Sequence, residues 1–407
     1  MKVHARLAEL AALGAGADGI DRALFTPADH AARRRFADWA RDAGLSVEQD
    51  RAGNVFARLA GTAELPPIVC GSHLDTVKGG GAYDGALGVV GGLEALERIA
   101  AAGAVTRRPL EVVAWAGEEG SRFPLGCLGS SAYARLTSYA DIEALVADDG
   151  QTFAQALGGP HGLLAGVPLR DGFPGAAAYV ELHIEQGPLL ERARLRLGVV
   201  TAIAGQRRLR VEIEGRPGHA GTIPMSGRAD ALCAASEVIL AVERAALALG
   251  ETVATVGWLI VEPNQTNIVP GRVALRIDAR SVDDAHIAEV ERRARAAAAD
   301  AAERRGTSVA VELIERRAAV PMEPRMRAIA ARACERLVAE TLELPSGAGH
   351  DAMCLAQVVP TAMIFVPSIG GHSHVAREKT APQDLELGIE ALAAALLLVD
   401  AESPFER

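Results

Sequence analysis

Four short apolar runs, Ile68–Cys70, Leu110–Ala116, Ala178–His183 and Thr361–Val366, each lead into polar residues at the C-terminal end, and Ala/Leu/Arg-rich helical stretches lie between them. Buried strands alternating with helices are the signature of α/β construction. The first run is expected to end at Cys70, with Gly71, Ser72 and His73 opening a loop and a helix following over Leu87–Ala102. In open α/β sheets ligands sit outside the carboxyl ends of the strands. The polar residues behind these runs are therefore expected to meet in one crevice.

Between about Gln206 and Val320 the pattern changes. It reads as a strand (Arg207–Glu214), a helix (Arg228–Leu249), two strands (Thr252–Val261 and Arg272–Ala279), a helix (Asp283–Arg305) and a strand (Ser308–Ile314). That β-α-β-β-α-β order is the split βαβ of a ferredoxin-like domain. It predicts a module at 206–320 inserted into a larger α/β domain, formed by 1–205 and 321–407. The Ala/Arg stretch Glu291–Arg305 reads as a solvated helix.

Composition narrows the partner. With 49% hydrophobic residues in 407 the chain has too much apolar surface for disorder, and a net charge of −10 with 4% aromatics opposes nucleic-acid binding. Lys2, Lys78 and Lys379 are the only lysines among 42 basic residues, so Schiff-base chemistry is disfavoured and guanidinium forks for carboxylates are plentiful. Five cysteines, odd in number and without a CxxC pair, read as reduced thiols. Charges interrupt the N-terminal MKVHARLAEL, and no run reaches the ~18 apolar residues of a membrane span. A cytoplasmic protein with a small-molecule partner is expected.

The residues at the strand ends share one chemistry: His73, Asp75, Asp84, Glu118, Glu119, His183 and the trio His372, Ser373, His374. One histidine at a strand end is ordinarily a hydrogen-bonded loop residue, and adjacent glutamates are ordinarily solvated. Together, imidazoles and carboxylates suit Zn²⁺, or Mn²⁺ and related ions where carboxylates dominate. The set exceeds the four ligands of a structural zinc and is large enough for two ions sharing a carboxylate, about 3.5–4 Å apart. Neighbouring side chains on extended backbone diverge, so one of Glu118 and Glu119 can bind metal while the other serves as general base. Asp84 lies among Gly79, Gly80, Gly81 and Gly85, where the backbone must turn tightly.

The strings GSHLDTVKGGGAYDGALGV from Gly71, AGEEGSRF from Ala116, ELHIEQGP from Glu181, GHAGTIPM from Gly218, NIVPG from Asn267, GAGHDA from Gly347 and SHVAREKT from Ser373 carry a resemblance. From about residue 50 onward the chain resembles the amidase/carbamoylase branch of the dinuclear zinc aminoacylase and carboxypeptidase superfamily. That branch contains N-carbamoyl-L-amino acid hydrolases, allantoate amidohydrolases and β-ureidopropionases.

The resemblance implies a zinc-peptidase-like catalytic domain with a mixed central sheet and two divalent ions per subunit, Zn²⁺ first, with Mn²⁺, Co²⁺ or Ni²⁺ also suited. His73 and His183 would bind one ion and Glu119 and His374 the other, with Asp84 bridging them. Asp75 would orient His73, and Glu118 would move the proton of the attacking water. His372 offers a second imidazole beside His374, and His350 stands near the ions. The inserted domain is implied to be a lid and to form a homodimer, bringing His219 to the partner subunit's oxyanion. Asn267 and Arg280 would grip a substrate carboxylate, with Gln186, Gln206 and Gly349 as further contacts. HIEQG has an imidazole where peptidase relatives usually carry a carboxylate, which favours ureido over peptide chemistry. An aminoacylase or dipeptidase, and a binding protein that has lost its metals, are the competing readings.

Overall fold

The computed structural model describes residues 2–170 and 175–402. In chain order its main elements begin with α1 (Lys2–Ala12), α2 (Pro27–Asp42), β1 (Ser46–Gln49), β2 (Val55–Leu59) and β3 (Ile68–His73). Next come α3 (Ala86–Ala101), β4 (Leu110–Trp115), α4 (Leu128–Tyr133), β5 (Ala178–Ile184) and β6 (Gly198–Ile203). A second group contains β7 (Gly205–Glu214), β8 (Gly218–His219), α5 (Ala231–Leu247), β9 (Val253–Glu262), β10 (Ile268–Val269), β11 (Arg272–Ser281), α6 (Asp284–Arg305), β12 (Ser308–Arg317) and β13 (Val320–Pro321). The chain finishes with α7 (Pro324–Glu335), β14 (Leu342–Ser346), α8 (Asp351–Leu355), β15 (Thr361–Val366) and α9 (Pro382–Glu402). It forms two compact units, Met1–Thr201 with Met322–Arg407, and Ala202–Pro321.

The first unit is a mixed α/β structure around a mixed sheet of order β1-β2-β4-β3-β5-β15-β6, with β14 also on β6. At its centre β4, β3, β5 and β15 run parallel. Every residue of these four strands is buried, which is why they appear in the sequence as near-continuous apolar runs. Parallel pairing brings their carboxyl ends to one edge, with His73 beside Trp115 and His183 beside Phe365. Leu87, Val90 and Leu93 of α3 and Leu385, Ile389, Leu392 and Leu396 of α9 join the strands' aliphatic side chains in the core. Trp115 meets Phe56, Tyr133 and Tyr179 in edge-on ring contacts.

The strand expected to stop at Cys70 continues to His73, because Gly71, Ser72 and His73 stay paired with Val113, Ala114 and Trp115. Gly71 has φ +145, and a Cβ there would lie 2.1 Å from the Val113 carbonyl oxygen, an atom of the sheet itself that cannot give way. Gly71→Ala is accordingly expected to destabilise the fold by about 3 kcal/mol or more, combining backbone strain with overpacking. Urea denaturation with unchanged stability would show that the sheet tolerates the side chain.

In the second unit β12-β7-β11-β9 form an antiparallel sheet. Leu209, Val211 and Ile213 on β7 and Val273, Leu275 and Ile277 on β11 alternate toward α5 and α6, the period-2 pattern of a sheet covered on one face. The Ala/Arg helix is not solvated all round: Ile287, Val290, Ala294, Ala298 and Ala301 of α6 line this core. Helix α5 starts later than expected because Asp230 caps it, accepting from the N–H groups of Leu232 and Cys233. Where the chain enters and leaves this unit, Ile203 pairs with Val320. Among the described residues no helix is long and apolar enough to cross a membrane.

Candidate metal centre

The carboxyl ends of β3 and β5 deliver His73 and His183, and the glycine-flanked loop after β3 delivers Asp84 to them. The Nδ1 of His73 lies 2.9 Å from the Asp75 carbonyl, and that of His183 lies 2.9 Å from the Ile184 carbonyl. A carbonyl only accepts, so both imidazoles carry the proton on Nδ1 and turn Nε2 inward. These Nε2 atoms stand 3.6 and 3.2 Å from Asp84 Oδ1. Close approach depends on Gly85, at φ +64, where a Cβ would meet the His73 ring at 2.4 Å.

The other face of Asp84 serves a second group. His374 Nε2 lies 3.1 Å from Asp84 Oδ2 and 3.6 Å from Glu119 Oε2. Thus His73, Asp84 and His183 form one set of donor atoms close enough for a metal ion, and Asp84, Glu119 and His374 form another. Of the two imidazoles flanking Ser373, His374 enters such a set and His372 does not. The Gln186 amide donates to Asp84 Oδ2 at 2.8 Å, while its own Oε1 is buried without a partner. Gln186 and His374 have φ values of 60 and 59, backbone strain of the kind that clusters at functional sites.

Glu118 belongs to neither set, yet its Oε2 lies 3.7 Å from His73 Nε2. Gly349 borders the same carboxylate, an added Cβ standing 3.9 Å from Oε1. Asp75 differs from expectation in detail: its backbone carbonyl is the close partner of His73, and its carboxylate accepts from the N–H groups of Glu118 and Glu119 at 3.1 and 3.2 Å. It therefore sets the direction of both glutamates.

Concentrated buried acid shapes the electrostatics. Burial opposes a charged His73, but Asp84, Glu118, Asp75 and Glu119 outweigh it and hold its pKa well above the ordinary imidazole value. Burial likewise opposes an ionised Asp84, and the imidazoles of His183, His374 and His73 overcome it and hold the carboxyl well below the usual range. Burial, with Asp84 and Glu118 adding to it, pushes Glu119 up to about 8. The hydrogen bond to Asp84 raises His374 to about 9. Burial also raises Glu118, with Asp75 and Asp84 adding to the effect. So much negative charge around inward-facing imidazole nitrogens is a donor set suited to divalent cations.

Several buried groups around this centre escaped the sequence reading. Glu378 accepts from the N–H groups of Tyr83 and Asp84 through one oxygen and from Ser373 through the other, joining two of the contributing loops. Glu181 accepts from Ser72, Tyr179 and the Ala352 N–H. The signal was available for Glu181, an acid in a strand otherwise apolar up to His183. His350, by contrast, was expected near the ions: it is buried with Nε2 2.7 Å from Ser346 Oγ, its ring edge-on to His183 at 4.5 Å. With Glu181 and His183 it makes a third group of donor atoms.

The remaining expected contacts lie in the second unit. His219 pairs with Ile268 through the two-residue strands β8 and β10, and the Ala220 N–H donates to the Asn267 carbonyl, so the GHAGT and NIVPG segments are neighbours. The Gly221 N–H donates to His219 Nδ1, which puts that imidazole's proton on Nε2. Gln206 and Arg280 face each other across β7 and β11 and converge on Asp278. Arg280 grips Asp278 with Nε and Nη2 at 2.9 and 3.2 Å, and Gln206 donates to the same carboxylate at 2.6 Å. Burial works against an ionised Asp278, but Arg280 and Arg208 outweigh it and hold its pKa low.

The sequence is 39% identical over 404 residues to an N-carbamoyl-L-amino-acid amidohydrolase of Paenarthrobacter aurescens, covering 98% of each chain. It is 37% identical to an allantoate amidohydrolase of Bacillus subtilis, over 94% of this chain and 93% of that one. The fold matches the crystal structure of an amidase of the hydantoinase/carbamoylase family from Burkholderia multivorans, with a TM-score of 0.89, 38% identity, and coverage of 97% and 96%. The profile of peptidase family M20/M25/M40 matches residues 69–398. This chain belongs to that family and, within it, to the hydantoinase/carbamoylase amidases.

Proposed function

We propose that the protein is a metal-dependent amidohydrolase cleaving a non-peptide C–N bond of a ureido substrate that bears a carboxylate, of N-carbamoyl-L-amino acid or allantoate type. The observation that carries this reading is the Asp84 carboxylate common to two donor sets, with the buried Glu118 beside them and in neither. The names of the relatives support the ureido class. All five cysteines are free thiols, which fits a reducing cytoplasm.

His73 and His183 would hold one divalent ion, Glu119 and His374 a second, and Asp84 both; Zn²⁺ is the first choice and Mn²⁺, Co²⁺ and Ni²⁺ also suit the donors. When bound, such ions supply Lewis acidity and lower the pKa of water toward neutrality. Glu118 takes the proton of the attacking water and returns it to the leaving nitrogen, and Asp75 keeps its backbone in place. His219, with its proton on Nε2, donates to the developing oxyanion of the partner subunit in a homodimer formed through the second unit. That unit, residues 206–320, is read as a ferredoxin-like lid, and residues 1–205 with 321–407 as the catalytic domain. Arg280, aligned by Asp278, and Asn267 receive the substrate carboxylate. Gln186, Gln206 and Gly349 border the substrate.

The test is turnover by the metal-loaded protein, read as ammonia release from allantoate, N-carbamoyl-β-alanine and a set of N-carbamoyl-L-amino acids, and as release of a free amino group from N-acetyl amino acids and dipeptides. At least one ureido compound should exceed every acyl compound in kcat/KM by about a hundredfold. Turnover confined to acyl substrates or dipeptides would assign the protein to aminoacylase chemistry instead.

Metal loading should also be coupled to protons. At about pH 7 His374 and Glu119, raised to about 9 and about 8, hold protons that an ion must displace. Loading the metal-free protein is expected to release more than one proton per subunit. Apparent affinity should rise with pH from about 7 to about 9 as these groups lose their protons. Calorimetry in buffers of different ionisation enthalpy reads the proton count, and an affinity flat from about pH 6 to 9 would contradict the coupling.

A further inference from the structure

The Cys127 thiol is a buried nucleophilic group beside Glu118 with no part in the reaction above. Its position is built by the backbone. The N–H groups of Cys127, Leu128 and Gly129 donate in turn to the carbonyls of Glu118, Gly117 and Ala116 at 2.8, 3.1 and 2.7 Å. This ladder sets Cys127 opposite Glu118. Cys127 also adopts φ 53 and ψ 36, a left-handed conformation unfavourable for a residue with a Cβ, at the start of α4.

From that position Sγ lies 3.3 Å from Glu118 Oε1 and 3.5 Å from the His350 carbonyl oxygen. Both are acceptors, so the sulfur is placed to act as a donor. Contact with the neighbouring Cys354 thiol, together with burial and the negative charge of Glu118, holds the Cys127 pKa well above its ordinary value, so the S–H is retained. The second oxygen of Glu118, Oε2, faces His73 Nε2 at 3.7 Å.

We infer that Cys127 is a positioning residue for Glu118: its S–H donates to Oε1 and fixes the rotation of the carboxylate, so that Oε2 is the oxygen presented to the reacting water. The inference rests on the reading of Glu118 as the base. A rotating carboxylate would spend time with neither oxygen aimed at the water, which lowers kcat without touching substrate affinity.

The experiment compares the full-length, metal-loaded C127A, C127G, C127S and E118Q variants with the parent, by ammonia release from N-carbamoyl-L-methionine and allantoate. C127A and C127G are expected to lose about tenfold in kcat, the equivalent of one hydrogen bond, with KM and metal content unchanged. C127S keeps an O–H donor and should recover at least half of the parental kcat. Glycine relieves the left-handed backbone, so a purely structural role predicts C127G at parental kcat or above. Parental kcat in C127G would overturn the inference, whatever C127A shows, as would an equal loss in C127S. If E118Q retains parental turnover, the base role of Glu118 is what fails; if E118Q is inactive while C127A and C127G are unimpaired, only the role of Cys127 fails.

Discussion

Glu118→Gln is expected to lower kcat by about a thousandfold while metal content and KM remain near those of the parent. Glutamine keeps the size of the side chain, the backbone hydrogen bond from residue 118 to Asp75 and the ladder to Cys127. What it removes is a group that can accept a proton. Burial raises the Glu118 pKa, and Asp75 and Asp84 add to the effect, which brings it closer to the working pH and favours both halves of a proton shuttle. Because Glu118 stands in neither donor set, elemental analysis should find the variant fully loaded. Parental turnover would remove Glu118 from the reaction; loss of metal along with activity would make it a ligand.

The parts of this molecule that were legible in the sequence are those that one strand or helix encodes within itself. Strands buried on both faces are largely apolar, so the four central ones stood out, and the imidazoles and carboxylates behind them were identifiable by type. Parallel order then makes their carboxyl ends coincide, a step the runs imply but do not encode. The details that escaped depend on contacts between distant segments. Gly71 to His73 read as loop because their pairing with Val113 to Trp115 compensates for a weak local strand preference. Strands β8 and β10, of two residues each, have no periodicity to detect. The grip of Asp278 on Arg280 and Gln206 arises only when β7 and β11 pair, and the approach of Cys127 to Glu118 needs a left-handed turn that sequence patterning does not announce.

Asp84→Asn is expected to have a comparably large effect through a different cause. The carboxylate faces His73 and His183 through Oδ1 and His374, Gln186 and Ser373 through Oδ2. Its pKa is held well below the usual range by the three imidazoles, so it is the anion to which the cluster is tuned. An asparagine removes that charge and turns an N–H₂ toward the Gln186 amide or the imidazole nitrogens, donor against donor or against a lone pair meant for an ion. Metal content after gel filtration should fall by more than half, because both donor sets lose their common member, and kcat should fall at least a thousandfold. Excess metal in the assay should restore little of it, since the group that joins the sets is missing rather than displaced. The pair of variants separates the two roles: Glu118→Gln should be loaded and inactive, Asp84→Asn unloaded and inactive. If Asp84→Asn binds as much metal as the parent, the two donor sets are not joined through this carboxylate.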